Sequence, residues 1–204
     1  MGDAVAVLQA LDREAFLFIN RTLQNPLFDL AMPALSNKWL GFLLAALLIP
    51  LLLARYGRRA VPVLGLAVLA VVLSDLGANT LKHLIQRIRP CHVIAEVHLL
   101  AGCTRSFAMP SNHAANMFAV AGALWLGLPA WRWPVLLLAA AVGYSRVYLG
   151  VHYVSDVIVG ATCGLGLGWA VLHIGLRLVP ARWGTRGVEA PAHDSSEPNR
   201  DARP

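Results

Sequence analysis

Ser145-Arg146-Val147-Tyr148-Leu149-Gly150-Val151-His152-Tyr153-Val154-Ser155-Asp156 puts an arginine, a histidine and an aspartate into the seam between two long apolar segments. Ionisable groups at a membrane boundary are expensive to keep and, where they occur, point to function. His152 and Asp156 are four residues apart, a spacing that on a helix gives them one face, where the carboxylate can hold the imidazole in one tautomer. Gly150 lets the chain change direction just ahead of them. The segments on either side decide the fold class, because they are apolar for lengths that match a lipid bilayer.

The 204 residues are 57% hydrophobic with a mean hydropathy of +0.60, too apolar for an ordinary soluble domain. A β-barrel alternates apolar and polar residues, and these blocks do not. The class is therefore an all-α, polytopic membrane bundle. The formal net charge of +6 matters through its placement, and no nucleic-acid partner is expected. Met1-Gly2-Asp3 lacks a basic start and no small-residue cleavage site follows a clean apolar core, so no cleavable signal peptide is expected. Cys163 lies in an apolar block and reads as a small packing residue. Cys91 and Cys103 bracket a polar loop; both the free thiols and a disulfide stay open.

Ala4 to Leu23 is amphipathic, with Ala4, Leu8, Leu11, Ala15, Ile19 and Leu23 at helical spacing and Gln9, Arg13, Asn20 and Gln24 opposite. Asp12, Arg13 and Glu14 in its middle make it a poor spanning segment, so it reads as a helix lying in the membrane interface. Pro26 to Leu35 is a short apolar piece able to dip into lipid. Spans are expected at Trp39–Ala54, from Ala60 through the Lys82 region to Pro90, at Ser111–Leu128, at Val135–Leu149 and at Tyr153–Val179. The bundle thus has five to six spans plus the interfacial helix. Residues 1–37 form the amphipathic and re-entrant region, 38–180 the embedded domain, and 181–204 a disordered cytoplasmic tail.

Arg55, Arg58, Arg59, Arg132, Arg177, Arg182 and Arg186 fall on one side of such a bundle, which the positive-inside rule makes cytoplasmic. The polar clusters then meet on the opposite face. The first is Lys82-His-Leu-Ile-Gln-Arg-Ile-Arg89-Pro90, where Lys82 and Arg89 are two helical turns apart and share a face. Asp75, Asn79 and Lys82 form one polar stripe on the same helix, as supports for Lys82 or as interhelical hydrogen-bonding groups. The second is Pro110-Ser111-Asn112-His113, where Ser111 is a natural N-cap and the helix start an anion site. The third is the opening stretch. Each has a structural alternative: a snorkelling basic helix end, a capping turn, an interhelical His–Asp bond. Two histidines and an aspartate can also bind zinc, but three converging cations repel a metal and attract an anion. Together the clusters hold what metal-free phosphoryl transfer requires: cations for the oxygens, one imidazole to attack phosphorus, another to protonate the leaving group.

Lys82-x6-Arg89-Pro90, Pro110-Ser111-x-His113 and Ser145-Arg146-x5-His152-x3-Asp156 resemble the three signature motifs of the type 2 phosphatidic acid phosphatase family, which includes the lipid phosphate phosphatases and shares its site with vanadium haloperoxidases. Asn112 departs from the glycine usual there. The resemblance implies His152 as nucleophile through a phosphohistidine, Asp156 orienting it, and His113 as general acid. It implies Lys82, Arg89, Ser111 and Arg146 as phosphate-binding residues, with neither metal nor other cofactor. His83, His92, His98, His173 and His193 have no motif position.

The expected protein is a multi-pass phosphatase of the bacterial inner membrane, its site facing the periplasm, whose partners are the bilayer and a lipid phosphate. Undecaprenyl diphosphate is the first substrate expected; phosphatidylglycerophosphate and lipid A phosphates are the alternatives. A non-enzymatic lipid transporter or flippase is the reading from another class, and a catalytically dead lipid-binding scaffold is a third.

Overall fold

The computed structural model describes residues 2–178; the expected tail at 181–204, with Arg182, Arg186 and His193, lies outside the described residues. Among the described residues every regular element is helical. In chain order these are α1 (Gly2–Leu17), a π-helical turn (Phe18–Thr22), α2 (Pro26–Leu35), α3 (Lys38–Tyr56), α4 (Ala60–Ile85), α5 (Pro90–Val93), α6 (Asn112–Gly127), α7 (Arg132–Tyr148) and α8 (Val154–Leu178).

Local chemistry sets the ends. Asn25 caps α2 by accepting from the Phe28 N–H at 2.9 Å, with Pro26 opening the helix. Asn37 caps α3 from the Trp39 N–H at 2.9 Å, and Gly57, at φ +60°, ends it in a conformation that only glycine adopts freely. By length and hydropathy, two stretches can cross a membrane: residues 38–93, which hold α3 and α4, and Val154–Leu178. α6 and α7, at 16 and 17 residues, are shorter than the ~20 residues that span hydrocarbon.

Three sequence expectations change. α4 stops at Ile85 rather than reaching Pro90, because Gln86 turns left-handed at φ 52° and returns its N–H to the Lys82 carbonyl. Lys82 and Arg89 therefore do not share a helix face. His152 and Asp156 do not share a helix either, since α8 begins at Val154. In α1, Leu8 and Leu11 point outward at 65% and 62% exposure, as an interfacial helix requires, but Asn20, placed on the polar outer side, is fully buried with Phe16. The inward face is 12–16–20, and Asn20 holds two distant segments together by donating to the His98 and Tyr148 carbonyls.

The most extensive helix contact is between α6 and α8, and small residues make it. A Cβ added to Gly164 would stand 2.0 Å from the Ala115 carbonyl oxygen, one on Gly168 2.0 Å from that of Ala119, and one on Gly160 2.6 Å from that of Ser111. From the other side, Gly122 meets the Leu165 carbonyl oxygen at 2.2 Å. Small residues four apart let two membrane helices bring their backbones together. Below this seam an apolar core of Leu52, Val63, Leu124, Leu128 and Leu172 closes the far end.

Gly164→Ala is expected to force α6 from α8 and cost about 1–3 kcal/mol, read as a lower thermal midpoint in detergent with reduced activity. Gly166→Ala is the control, because its Cβ meets nothing within 4 Å, and it should leave the midpoint unchanged or raise it.

Candidate active site

The α6–α8 seam sets the site's first distance. The Ser111 N–H donates to the Asp156 carbonyl at 3.0 Å, so the start of α6 docks on the first turn of α8. Ser111 is fully buried and its hydroxyl faces the Ala114 N–H at 3.5 Å as the helix cap. The N-cap expected at Ser111 and the first-turn position expected for His113 are both present.

His152 lies in the turn between α7 and α8, 2% exposed. Its Nε2 is 3.0 Å from Arg89 Nη1, and its Nδ1 is 3.4 Å from Asp156 Oδ2. A guanidinium has no lone pair to offer, so Nε2 must accept, and the proton belongs on Nδ1 facing the carboxylate. The two contacts together select one tautomer and leave the Nε2 lone pair directed at Arg89. Burial, then the charges of Arg89, Arg146, Lys82 and His113, hold His152 well below the ordinary imidazole value of 6.5. The ring is neutral at pH 7.

The cations are buried and oriented by backbone carbonyls. Lys82, 5% exposed, donates to the Phe107 and Ala108 carbonyls at 2.8 and 3.2 Å. Arg89, 6% exposed, donates to the carbonyls of Ser106 and Val151 at 2.8 and 2.9 Å and to the Ser106 hydroxyl at 3.0 Å. Lys82 and Arg89 thus reach one place from two elements, through the 106–108 segment they share. Arg146 donates from Nη1 to the Ser36 hydroxyl, while its Nε is buried without a partner. The Ser36 carbonyl faces His113. All the residues expected at the site (Lys82, Arg89, Ser111, His113, Arg146, His152 and Asp156) are therefore gathered at one end of the bundle.

Sequence reasoning missed four contributors. Arg87 donates to Asp156 Oδ1 at 2.8 Å and to Asp12 Oδ2 at 2.6 Å; it stood inside a quoted motif, but only the residues spaced for a helix face were singled out. Asp12 entered the sequence reading only, with Arg13 and Glu14, as a reason against a membrane span, although an acid in an otherwise apolar stretch is itself a signal. Ser36 and Ser106 carry no sequence signal. Asn112 donates to Asp75 Oδ1 and Asn79 Oδ1, both at 2.9 Å, so the polar stripe on α4 is an interhelical network with α6.

Cys91 and Cys103 are bonded to each other, closing the loop of residues 91–103 that follows Arg89. Among the described residues, the one cluster with metal-ligand chemistry is Cys91, His92 and Cys103, and its sulfurs are joined rather than free as thiolates. A groove of about 650 Å³ lined by Phe118, Trp125, Leu165 and Trp169 is apolar, and none of the expected site residues lines it.

A helical bundle that gathers a buried neutral histidine, three cations and a helix start at one end is suited to an anionic group. The family described as the PAP2 superfamily matches residues 63–180, and the chain belongs to it. A lipid A 4'-phosphatase of Porphyromonas gingivalis is 29% identical over 91% of this chain and 80% of its own length. An undecaprenyl-diphosphatase of Sulfolobus acidocaldarius is 32% identical over 52% of this chain and 50% of its own. The crystal structure of Aquifex aeolicus LpxE superposes with a TM-score of 0.67 at 30% identity, covering 80% of this chain and 95% of that one. The protein is a membrane enzyme, a hydrolase of phosphoric monoesters in the lipid phosphatase class.

Because folding holds His152 neutral below its usual titration range, the unfolded chain binds this proton first, and stability is lost as pH falls through about 6.5. The thermal midpoint of the wild type should drop between pH 7.5 and 5.5, and His152→Asn should drop less over the same interval.

Proposed function

We propose that the chain hydrolyses a lipid phosphate or diphosphate through a phosphohistidine on His152, without a metal. The observation that carries this reading is the fixed tautomer: Arg89 and Asp156 leave the Nε2 lone pair as the reactive one, within reach of the charge of Arg146.

The phosphoryl group enters with its oxygens towards Lys82, Arg89, Arg146 and the α6 start at Ser111. It draws Arg89 away from Nε2, so the anion that is to be attacked also uncovers the attacking atom. The Nε2 lone pair forms the bond to phosphorus as the bond to the leaving oxygen breaks, and His113 gives that oxygen a proton. In the second half a water attacks phosphorus, His113 takes its proton, the N–P bond breaks and inorganic phosphate leaves. Asp156 Oδ2 holds Nδ1–H through both halves and offsets the positive charge that the ring acquires.

α3, α4, α6, α7 and α8 cross the bilayer, the shorter pair with their ends at headgroup depth, and α2 supplies the sixth, partial entry. Arg55, Arg58, Arg59 and Arg132 lie at the opposite end from His152, which supports a site on the periplasmic side of a bacterial inner membrane. The disulfide supports that side, since such bonds persist in oxidising compartments. Residues 38–180 form the catalytic domain. Undecaprenyl diphosphate is the first substrate; a lipid A phosphate is the second, supported by the P. gingivalis relative's match along 91% of the chain.

Purified protein in EDTA should release phosphate from a panel of undecaprenyl diphosphate, lipid A, phosphatidylglycerophosphate and phosphatidate. His152→Ala should lower the rate by well over the ~10²–10³-fold that one lost oxyanion donor costs. Unchanged release in that variant would leave a transporter or scaffold as the better description, and loss of activity in EDTA would restore a metal. Topology is tested with a membrane-impermeant thiol reagent on sealed cells: Cys91 and Cys103 should label only after reduction and only from outside.

A further inference from the structure

Arg87 stands two residues past the end of α4, and its guanidinium lies over the Tyr153 ring at 4.1 Å. Its Nη1 donates to Asp156 Oδ1 at 2.8 Å and to the Ser155 hydroxyl at 2.6 Å; its Nη2 donates to Asp12 Oδ2 at 2.6 Å. Asp12 belongs to α1, yet its Oδ1 also accepts the Ser155 N–H at 2.9 Å. That amide is in the first turn of α8, where N–H groups have no partner within the helix. The α1 carboxylate therefore caps α8 from outside and grips the same guanidinium that grips Asp156.

The charges decide what this chain of contacts does. Asp156 has one oxygen for Arg87 and one for the Tyr153 N–H and His152 Nδ1. Paired with Arg87 alone, Asp156 would belong to a neutral pair and offer little to a ring becoming cationic. Asp12 restores one net negative charge to the group. Both acids are sheltered, Asp156 with 0% and Asp12 with 10% of the side chain exposed, so solvent screens this arrangement weakly.

We propose that Asp12, acting through Arg87, is a positioning residue for Asp156 and supplies the net negative charge against which His152 turns cationic. α1 lies outside the family-matched residues 63–180 and in this protein forms part of the active site. This rests on the reading of His152 as the nucleophile.

The test uses the full chain in detergent micelles with dioctanoyl phosphatidate as the probe, and rates are taken per folded molecule from the monodisperse peak. Asp12→Asn keeps the size and removes the charge. It should lower kcat about 10–100-fold, the usual range for a partner one step removed from a reacting group, with KM within about twofold. It should also move the acid limb of kcat/KM to lower pH, because the other groups facing His152 are the cations Lys82, Arg89 and Arg146, the neighbouring His113, and Asp156 itself. In an Asp156→Asn background Asp12→Asn should add nothing further. Asp12→Glu, which retains the charge, should leave the acid limb at its wild-type position and recover most of kcat.

A wild-type kcat and acid limb in Asp12→Asn overturn the proposal, as does an additive loss on top of Asp156→Asn. If Asp12→Asn does not fold, a displaced acid limb in Asp12→Glu overturns it instead. A fully active His152→Ala would sink the reading beneath it; an inactive His152→Ala beside an unaffected Asp12→Asn removes only this inference.

Discussion

The approach of α6 to α8 is the constraint from which the site follows. Gly160, Gly164 and Gly168 turn their bare Cα atoms towards the Ser111, Ala115 and Ala119 carbonyls, at separations that no side chain would permit. In lipid there is little hydrophobic gain from helix association, so packing and interhelical hydrogen bonds must supply the energy. The same closeness allows the Ser111 N–H to reach the Asp156 carbonyl, which sets the start of α6 against the segment that carries His152. A wider helix pair would keep every site residue and lose the spacing between them.

Gathering three cations in a buried place is unfavourable, and the surroundings show how it is tolerated. Lys82 and Arg89 are solvated by carbonyls of residues 106–108 and 151 in place of water. These dipoles are part of the fold itself, so the cations are held in place by fixed partners rather than by solvent. Most of Arg89's donors are engaged by the protein; its bond to His152 is the one that an incoming anion can replace without unfolding the loop.

Much of this was legible in the sequence, and for identifiable reasons. Apolar blocks and their breaks located α3, α4, α6, α7 and α8 to within about five residues, because turn chemistry at Ser111 and Gly150 is local. The motif residues were legible as chemistry even where their geometry was not. Lys82 with Arg89, and His152 with Asp156, were expected to meet by helical periodicity, and both meet through turns instead: the left-handed Gln86 and the break before Val154. What stayed hidden depends on tertiary placement. Ser36 and Ser106 are ordinary residues until a cation lands beside them. The inward face of α1 was misread because amphipathicity reports which residues prefer lipid, and says nothing about which polar residues have a partner inside the protein.

That last point joins the membrane to the chemistry. α1 turns Leu8 and Leu11 outward and Asp12 inward to Arg87, so one short helix has two contacts of opposite character. A carboxylate this close to hydrocarbon is stable only while its guanidinium partner is in place, and Arg87 is held in turn by Asp156. The exposed apolar stripe and the inward carboxylate thus belong to opposite faces of one helix. Sequence position hid the connection, with Asp12 and Ser155 separated by 143 residues. The carboxylate that contacts His152 is in this way held, through Arg87, from a helix at the other end of the sequence.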